Sequence, residues 1–181
     1  MVDFDLAISA YCDRIGALYR RYSDDILIIC SPIDASGVES EIAKLISTEK
    51  LELSVEKTER TEFSLSVPSA GKAAQYLGFT LSEGAPRVRA SSLSRQWRKM
   101  RRAVRRTRKI AEVEIAEGRT NKVYTKRLRR RFTPLQFRNF SSYARRSAAS
   151  FGDGEKITRQ IRRFEREVER QIQSLKSLET H

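Results

Sequence analysis

Histidine is nearly missing from this 181-residue chain. A single one stands at the last position, and the two cysteines, Cys12 and Cys30, have neither CxxC spacing nor a histidine nearby. That scarcity leaves no ligand set for a zinc site and makes a reduced, cytoplasmic setting the expectation. Long hydrophobic runs are missing too. The longest, residues 26–30, falls far short of the roughly 20 apolar residues that cross a bilayer, so no membrane span is expected, and no signal-peptide pattern opens the sequence. Acids are scarce relative to bases: 36 Lys and Arg against 23 Asp and Glu leave a formal charge of +13. An excess of that size, rich in arginine, points to a polyanionic partner such as nucleic acid or an acidic surface. The hydrophobic share of 39% still suffices for a modest core, so the chain is not disordered as a whole.

Charge divides the sequence near residue 85. Before it acids and bases roughly balance and strand signals occur; after it bases dominate and helical periodicity takes over. An α+β module over 1–85 and an all-α basic module over 86–181 are therefore expected. In the first, DFDLAISAYCDRIG reads as a helix with Phe4, Ala7, Ile8 and Tyr11 on one side and Gly16 as its stop. ALYRRYSDDILIIC reads as two short strands joined at Ser23-Asp24-Asp25. VESEIAKLIS places Val38, Ile42, Leu45 and Ile46 at helical spacing. LELSVEKTE alternates Leu51, Leu53 and Val55 as a half-buried strand does. TEFSLSV and AAQYLGFTLS supply further strands, with Gly71 and Gly84-Ala85-Pro86 as turns.

In the second module, Ser91 or Ser92 is the expected N-cap of a helix carrying Leu93, Trp97, Met100, Val104 and Ala111 inward and ending at Gly118. Its other surface holds Arg95, Arg98, Lys99, Arg101, Arg102, Arg105, Arg106, Arg108 and Lys109 with no acid among them. Such a face repels itself unless counter-anions gather on it, and phosphates would serve. A solvated charged face is the plain alternative. Thr133-Pro134 predicts the start of a helix with Leu135, Phe140, Tyr143 and Ala144 inward and Gly152 at its end. A last helix from Glu155 to about Leu178 sets Ile157, Ile161, Phe164, Val168, Ile172 and Leu175 on one stripe, so that three helices share a core.

Two adjacent carboxylates, Asp24 and Asp25, stand immediately before the apolar run ILIIC. If that run is a buried strand, each ionised group taken out of water costs roughly several kcal/mol unless a cation compensates it. Two readings are open. Aspartate suits a hairpin turn on its own account; alternatively, two carboxylates at a rigid strand tip hold a hard cation such as Mg2+, with substrate phosphates completing its shell.

RRYSDDILI resembles the tyrosine-x-Asp-Asp box of reverse transcriptases. Further boxes follow in that family's order. LELSVEKTE resembles the strand-plus-lysine motif after the catalytic hairpin, YLGF the primer-grip turn, and the arginine-rich helices a thumb. KRLRRRFTPLQFRNFSSYARR is similar to the thumb of bacterial enzymes of the retron, group II intron and phage-defence (antiviral) kinds. The resemblance implies a partial polymerase palm followed by a thumb, together supplying part of an RNA-directed DNA polymerase, a magnesium-dependent nucleotidyltransferase. It implies that Asp24 and Asp25 bind the metal, Asp24 more directly, and that Tyr22 lies under the primer terminus. It further implies that Lys57 serves as general acid for the leaving pyrophosphate, although a solvated lysine at a strand end is an equal reading. Tyr76, Leu77 and Gly78 would shape the turn supporting the primer 3′ end, and the α-helical arginines would hold RNA template and DNA or RNA primer while deoxynucleotides are added.

The family also has a third carboxylate and fingers upstream of the Asp-Asp box, which the resemblance does not find here. MVDFDLA resembles the helix just before the box, and Asp3 and Asp5 on it read as helix-surface charge rather than as the third ligand. The expectation is a C-terminal polymerase part completed by an upstream fragment. The alternative is a non-catalytic RNA- or DNA-binding remnant.

Overall fold

A computed structural model of the chain describes residues 2–63, 73–82 and 85–179. It is an α+β protein that divides into two compact units, Met1–Leu77 and Gly78–His181.

The first unit opens with helix α1, Val2–Arg14, whose i, i+4, i+8 positions Phe4, Ile8 and Cys12 are buried. Gly16, at φ +68°, turns the chain out of it. Strands β1, Leu18–Tyr22, and β2, Asp25–Ile29, then pair antiparallel from Leu18 opposite Ile29 to Tyr22 opposite Asp25. Helix α2, Ala35–Thr48, buries Val38 and Ile46. The core joins Phe4, Ile8, Cys12 and Ile46, with Tyr19, Ile26, Ile28, Ile42 and Leu45 packed on it. Burial at parity on β1, of Ile26 and Ile28 on β2, and at helical spacing on α1 and α2 lets four short elements share one apolar interior.

Beyond α2 the expected strand over LELSVEKTE does not form. Residues 51–54 are irregular and a single 3-10 turn, Val55–Lys57, follows. Leu51 and Leu53 remain 49% and 37% exposed, so the alternation has no apolar partner to bury it. Of TEFSLSV, residues 61–63 are irregular, while 64–67, Gly71 and Gly84 lie outside the described residues. Strand β3, Ala74–Tyr76, closes the unit.

The second unit begins with β4, Phe79–Leu81, paired antiparallel with β5, Arg87–Val88. Four helices follow: α3, Ala90–Ala116; α4, Lys126–Phe132; α5, Phe140–Ser150; and α6, Glu155–Lys176. The expected α6 stripe is buried in full, Ile157, Ile161, Phe164, Val168, Ile172 and Leu175 each at 1% exposure or less. Phe164 sits among the rings of Trp97, Phe132 and Phe140 at centroid distances of 5.2, 6.4 and 6.3 Å. One cluster joins α3, α4 and α6, and a second joins Phe79 and Val88 to Ala144, Ala148, Ile157 and Ile161. The Val88 amide donates to Gln160 Oε1 at 2.9 Å, so α6 satisfies the short β5 strand.

Two helix starts differ from expectation. α3 begins at Ala90 after Arg89, with no side-chain cap, rather than after Ser91 or Ser92. Thr133 does not open a helix; it closes α4, its hydroxyl donating to the Arg129 carbonyl at 2.8 Å. α5 starts six residues after Pro134 because Asn139 and Ser142 form a reciprocal capping box, Asn139 Oδ1 accepting the Ser142 amide at 2.9 Å and Ser142 Oγ the Asn139 amide at 3.1 Å. Leu135, expected inside, is 71% exposed, and Tyr143 is 41% exposed.

Candidate functional site

The β1–β2 loop has only two residues, Ser23 and Asp24, and Ser23 takes a positive φ of 55°. Short two-residue hairpins demand such a backbone, and glycine or a small polar residue meets it at least cost. Asp24 is therefore in the loop and Asp25 heads β2 opposite Tyr22. Both carboxylates are exposed, and so is Tyr22 at 66%. The premise that the pair is taken out of water is thus corrected: the apolar run is half-buried, its aspartates lie in solvent, and no desolvation cost has to be offset.

The tip is held from below by α1. Asp5 accepts from Arg21 Nε and from the Tyr19 hydroxyl, both at 2.6 Å, and Arg21 Nη2 completes a bidentate pair with it. Arg21 Nη1 then donates to the Ser23 carbonyl at 2.9 Å. One chain of bonds thereby ties the first turn of α1 to the loop residue before Asp24. The Arg21 guanidinium and then the Tyr19 hydroxyl hold the Asp5 carboxyl below its ordinary range, while burial first, and then Asp5, push the Tyr19 phenol up. Sequence reading left Asp5 as surface charge. The available signal was parity, since Tyr19 and Arg21 share one face of β1.

Tyr76 stands near this tip. Burial raises its phenol, and the Asp25 carboxylate raises it further, partly offset by Arg20. The turn after it places Leu77 at φ 47° and Gly78 at φ 83°, two successive left-handed residues. Glycine adopts that conformation freely and leucine does not. Lys57 is exposed in the 3-10 turn instead of at a strand end, and its side chain has no ion-pair partner among the described residues. Asp25 thus stands opposite Tyr22 and is close enough to Tyr76 to raise its phenol, and Lys57 is not shown with them.

Two neighbouring oxygen donors at a pinned tip suit a hard cation such as Mg2+ in chemistry. They are only part of a shell. Among the described residues no group of three or more His, Cys, Asp or Glu side chains gathers where a metal could bind.

In the second unit, Arg95, Arg98, Lys99, Arg101, Arg102, Arg105, Arg106 and Lys109 are exposed along α3, and Arg108, half-buried, donates to Ser174 Oγ at 2.9 Å. None of these nine has an ion pair among the described residues. Several carboxylates of this unit are engaged elsewhere: Glu114 and Glu117 with Arg119, Glu169 with Arg129, Glu165 with Arg145, Glu155 with Arg159 and Glu167 with Arg170, while Glu112, exposed on α3, has no ion pair among the described residues and Glu167 also feels the charge of Arg101. Trp97 packs edge-on against Phe164, with the Arg101 guanidinium 5.7 Å from its ring centre. The face is a row of cations with no ion pair among the described residues, on a helix fixed by its opposite side.

A scan against protein-family models and a search of curated proteins each give no match for this chain. Among the described residues no helix is long and apolar enough to cross a membrane.

Proposed function

We propose that this chain is the C-terminal palm and thumb part of an RNA-directed DNA polymerase, acting on an RNA template with a DNA or RNA primer. The observation that carries the reading is the hairpin: Asp24 and Asp25 stand exposed at the end of a two-residue loop braced by Arg21 and Asp5. In the proposed role Asp24 and Asp25 supply oxygen ligands, Tyr22 and Tyr76 border the primer terminus, and the α3 cations grip the phosphate backbone. When bound, Mg2+ would stabilise the charge that develops on the transferred phosphate. Asp5 and Arg21 fix where the Asp24 carboxylate projects; the Leu77–Gly78 turn gives close backbone approach. In the same role Lys57, exposed in its 3-10 turn, would donate the proton to the leaving pyrophosphate. A third carboxylate would be needed to complete the shell, and none gathers with the pair among the described residues.

The test is template-primed deoxynucleotide incorporation with magnesium after mixing the chain with a candidate upstream fragment. Synthesis that is abolished by Asp24→Asn supports the role; synthesis that survives the substitution removes the aspartates from the chemistry.

A second reading, RNA or DNA binding without chemistry, is favoured by the uncompensated α3 face together with the lack of a third carboxylate near the pair among the described residues. It requires salt-sensitive affinity that is indifferent to metal, with no synthesis under any complementation.

A further inference from the structure

Apart from α3, the helical unit has an open cleft of about 490 Å3, walled by the 122–126 segment, Arg129 and Arg130 of α4, Leu135, and Lys176 and Glu179 at the end of α6. Its volume lies within the range of roughly 300–1,000 Å3 that suits a nucleotide-sized ligand.

Tyr124 is 79% exposed there, although its neighbours Val123 and Thr125 are buried to 6% and 5%. The backbone around it is tied down. The Val123 amide donates to Glu179 Oε1 at 2.9 Å, the Lys122 amide to Thr120 Oγ1 at 3.1 Å, and the Thr125 carbonyl accepts from the Arg129 amide at 3.2 Å. A large ring is thus presented to solvent by an anchored segment, which spares the ordering cost that a loose loop would incur on binding. Leu135, 71% exposed, adds a second apolar surface to the wall.

The charge of the cleft is one-sided. Lys122, Lys126, Arg130 and Lys176 have no ion pair among the described residues, whereas Arg129 is held by Glu169. Glu179, the one acid on the wall, accepts the Val123 amide at one oxygen and keeps its charge, so the four unpaired cations outnumber it. An exposed π-face beside unpaired cations matches a ligand carrying both a flat ring and a phosphate. An acidic peptide would use the cations and leave Tyr124 idle, and an intact duplex keeps its base faces stacked on one another.

We infer that this cleft holds one unstacked nucleotide of a single-stranded nucleic acid, its base against Tyr124 and its phosphate among Lys126, Arg130 and Lys176. The inference rests on the nucleic-acid reading above and adds to it a preference for unpaired strands, sited away from α3.

The test uses the full chain, a fluorescent single-stranded RNA and a duplex of the same length. Tyr124→Ala is expected to weaken single-strand binding by about fivefold or more, the usual loss for one base–aromatic stack, and to leave duplex binding unchanged. Tyr124→Phe keeps the ring and should bind as the parent does; a thermal melt confirms that both variants fold. If the parent binds duplex and Tyr124→Ala binds single strands equally well, the inference falls and the nucleic-acid reading stands. If Lys126→Gln with Arg130→Gln weakens binding and Tyr124→Ala does not, the cleft is a plain anion site. Competition by adenosine monophosphate at equal nucleotide concentration would reassign it to free nucleotides. Failure of the parent to bind either strand form overturns both readings.

Discussion

Asp5 converts a helix-surface charge into a brace for the hairpin, and it does so in only one protonation state. Its carboxyl is held below the ordinary value of 3.8, first by the Arg21 hydrogen bonds and then by the Tyr19 hydroxyl. A carboxylate whose folded pKa is depressed contributes stability that is present above its unfolded pKa and fades as pH falls through the folded one. Urea melts of the parent chain should therefore lose stability as pH drops below about 4, the region where an unpaired aspartate titrates. Asp5→Asn should be less stable than the parent at pH 7 and show a flatter acid limb; an identical acid limb in the two proteins would remove Asp5 from the linkage. Much of this corner was legible in the sequence: the Ser23-Asp24-Asp25 tip is where the turn chemistry put it, and α1 buries the expected Phe4 and Ile8, although Cys12 takes the third inward place and Ala7, expected inside, is exposed. The role of Asp5 was not, because an acid at a helix N-terminus already has a local explanation in the helix dipole, which hides a longer-range one. Leu77 was equally opaque, since nothing in its side chain announces a left-handed backbone.

At the level of elements, the α6 stripe was readable to the residue because six apolar side chains at helical spacing admit one face only. The α4–α5 region was not. Thr133-Pro134 satisfies the usual rule for a helix start, yet the Asn139–Ser142 box competes for the same chain and wins. The strand expected over 51–59 failed for a different reason: alternation states a preference for a half-buried surface, and no such surface meets Leu51 and Leu53 here. A close approach between elements lies at Gly154, the residue before α6. A Cβ built there would stand 1.9 Å from the Ala148 carbonyl oxygen and 2.6 Å from its carbon, so the end of α5 would have to move. The backbone of Gly154 itself is ordinary at φ −85°, which makes space, not conformational freedom, the reason for glycine. Gly154→Ala should destabilise by about 1–3 kcal/mol, the usual cost of overpacking, read as a lower midpoint in denaturant at unchanged slope. An unchanged midpoint would mean the two helices do not meet this closely.

Across the whole molecule, the +13 charge is not spread as a uniform coat. Several carboxylates of the helical unit are paired with Arg119, Arg129, Arg145, Arg159 and Arg170, and none forms an ion pair with the nine α3 cations among the described residues. The sequence disclosed the density of that face but not its lack of compensation, which depends on which arginine each glutamate reaches after folding. Exposed pairs of this kind add little stability individually; their consequence is to reserve the remaining positive field for an outside anion. The proposed grip on a nucleic-acid backbone depends on that field. The most direct measurement is the dissociation constant for an RNA–DNA hybrid over a series of salt concentrations, for the parent and for Arg102→Gln/Arg105→Gln/Arg106→Gln. Each phosphate contact contributes about 0.9 to the slope of log affinity against log salt, so the triple variant should bind more weakly with a slope shallower by roughly 3. Equal slopes in the two proteins, or no binding by the parent at low salt, would contradict a phosphate-gripping α3.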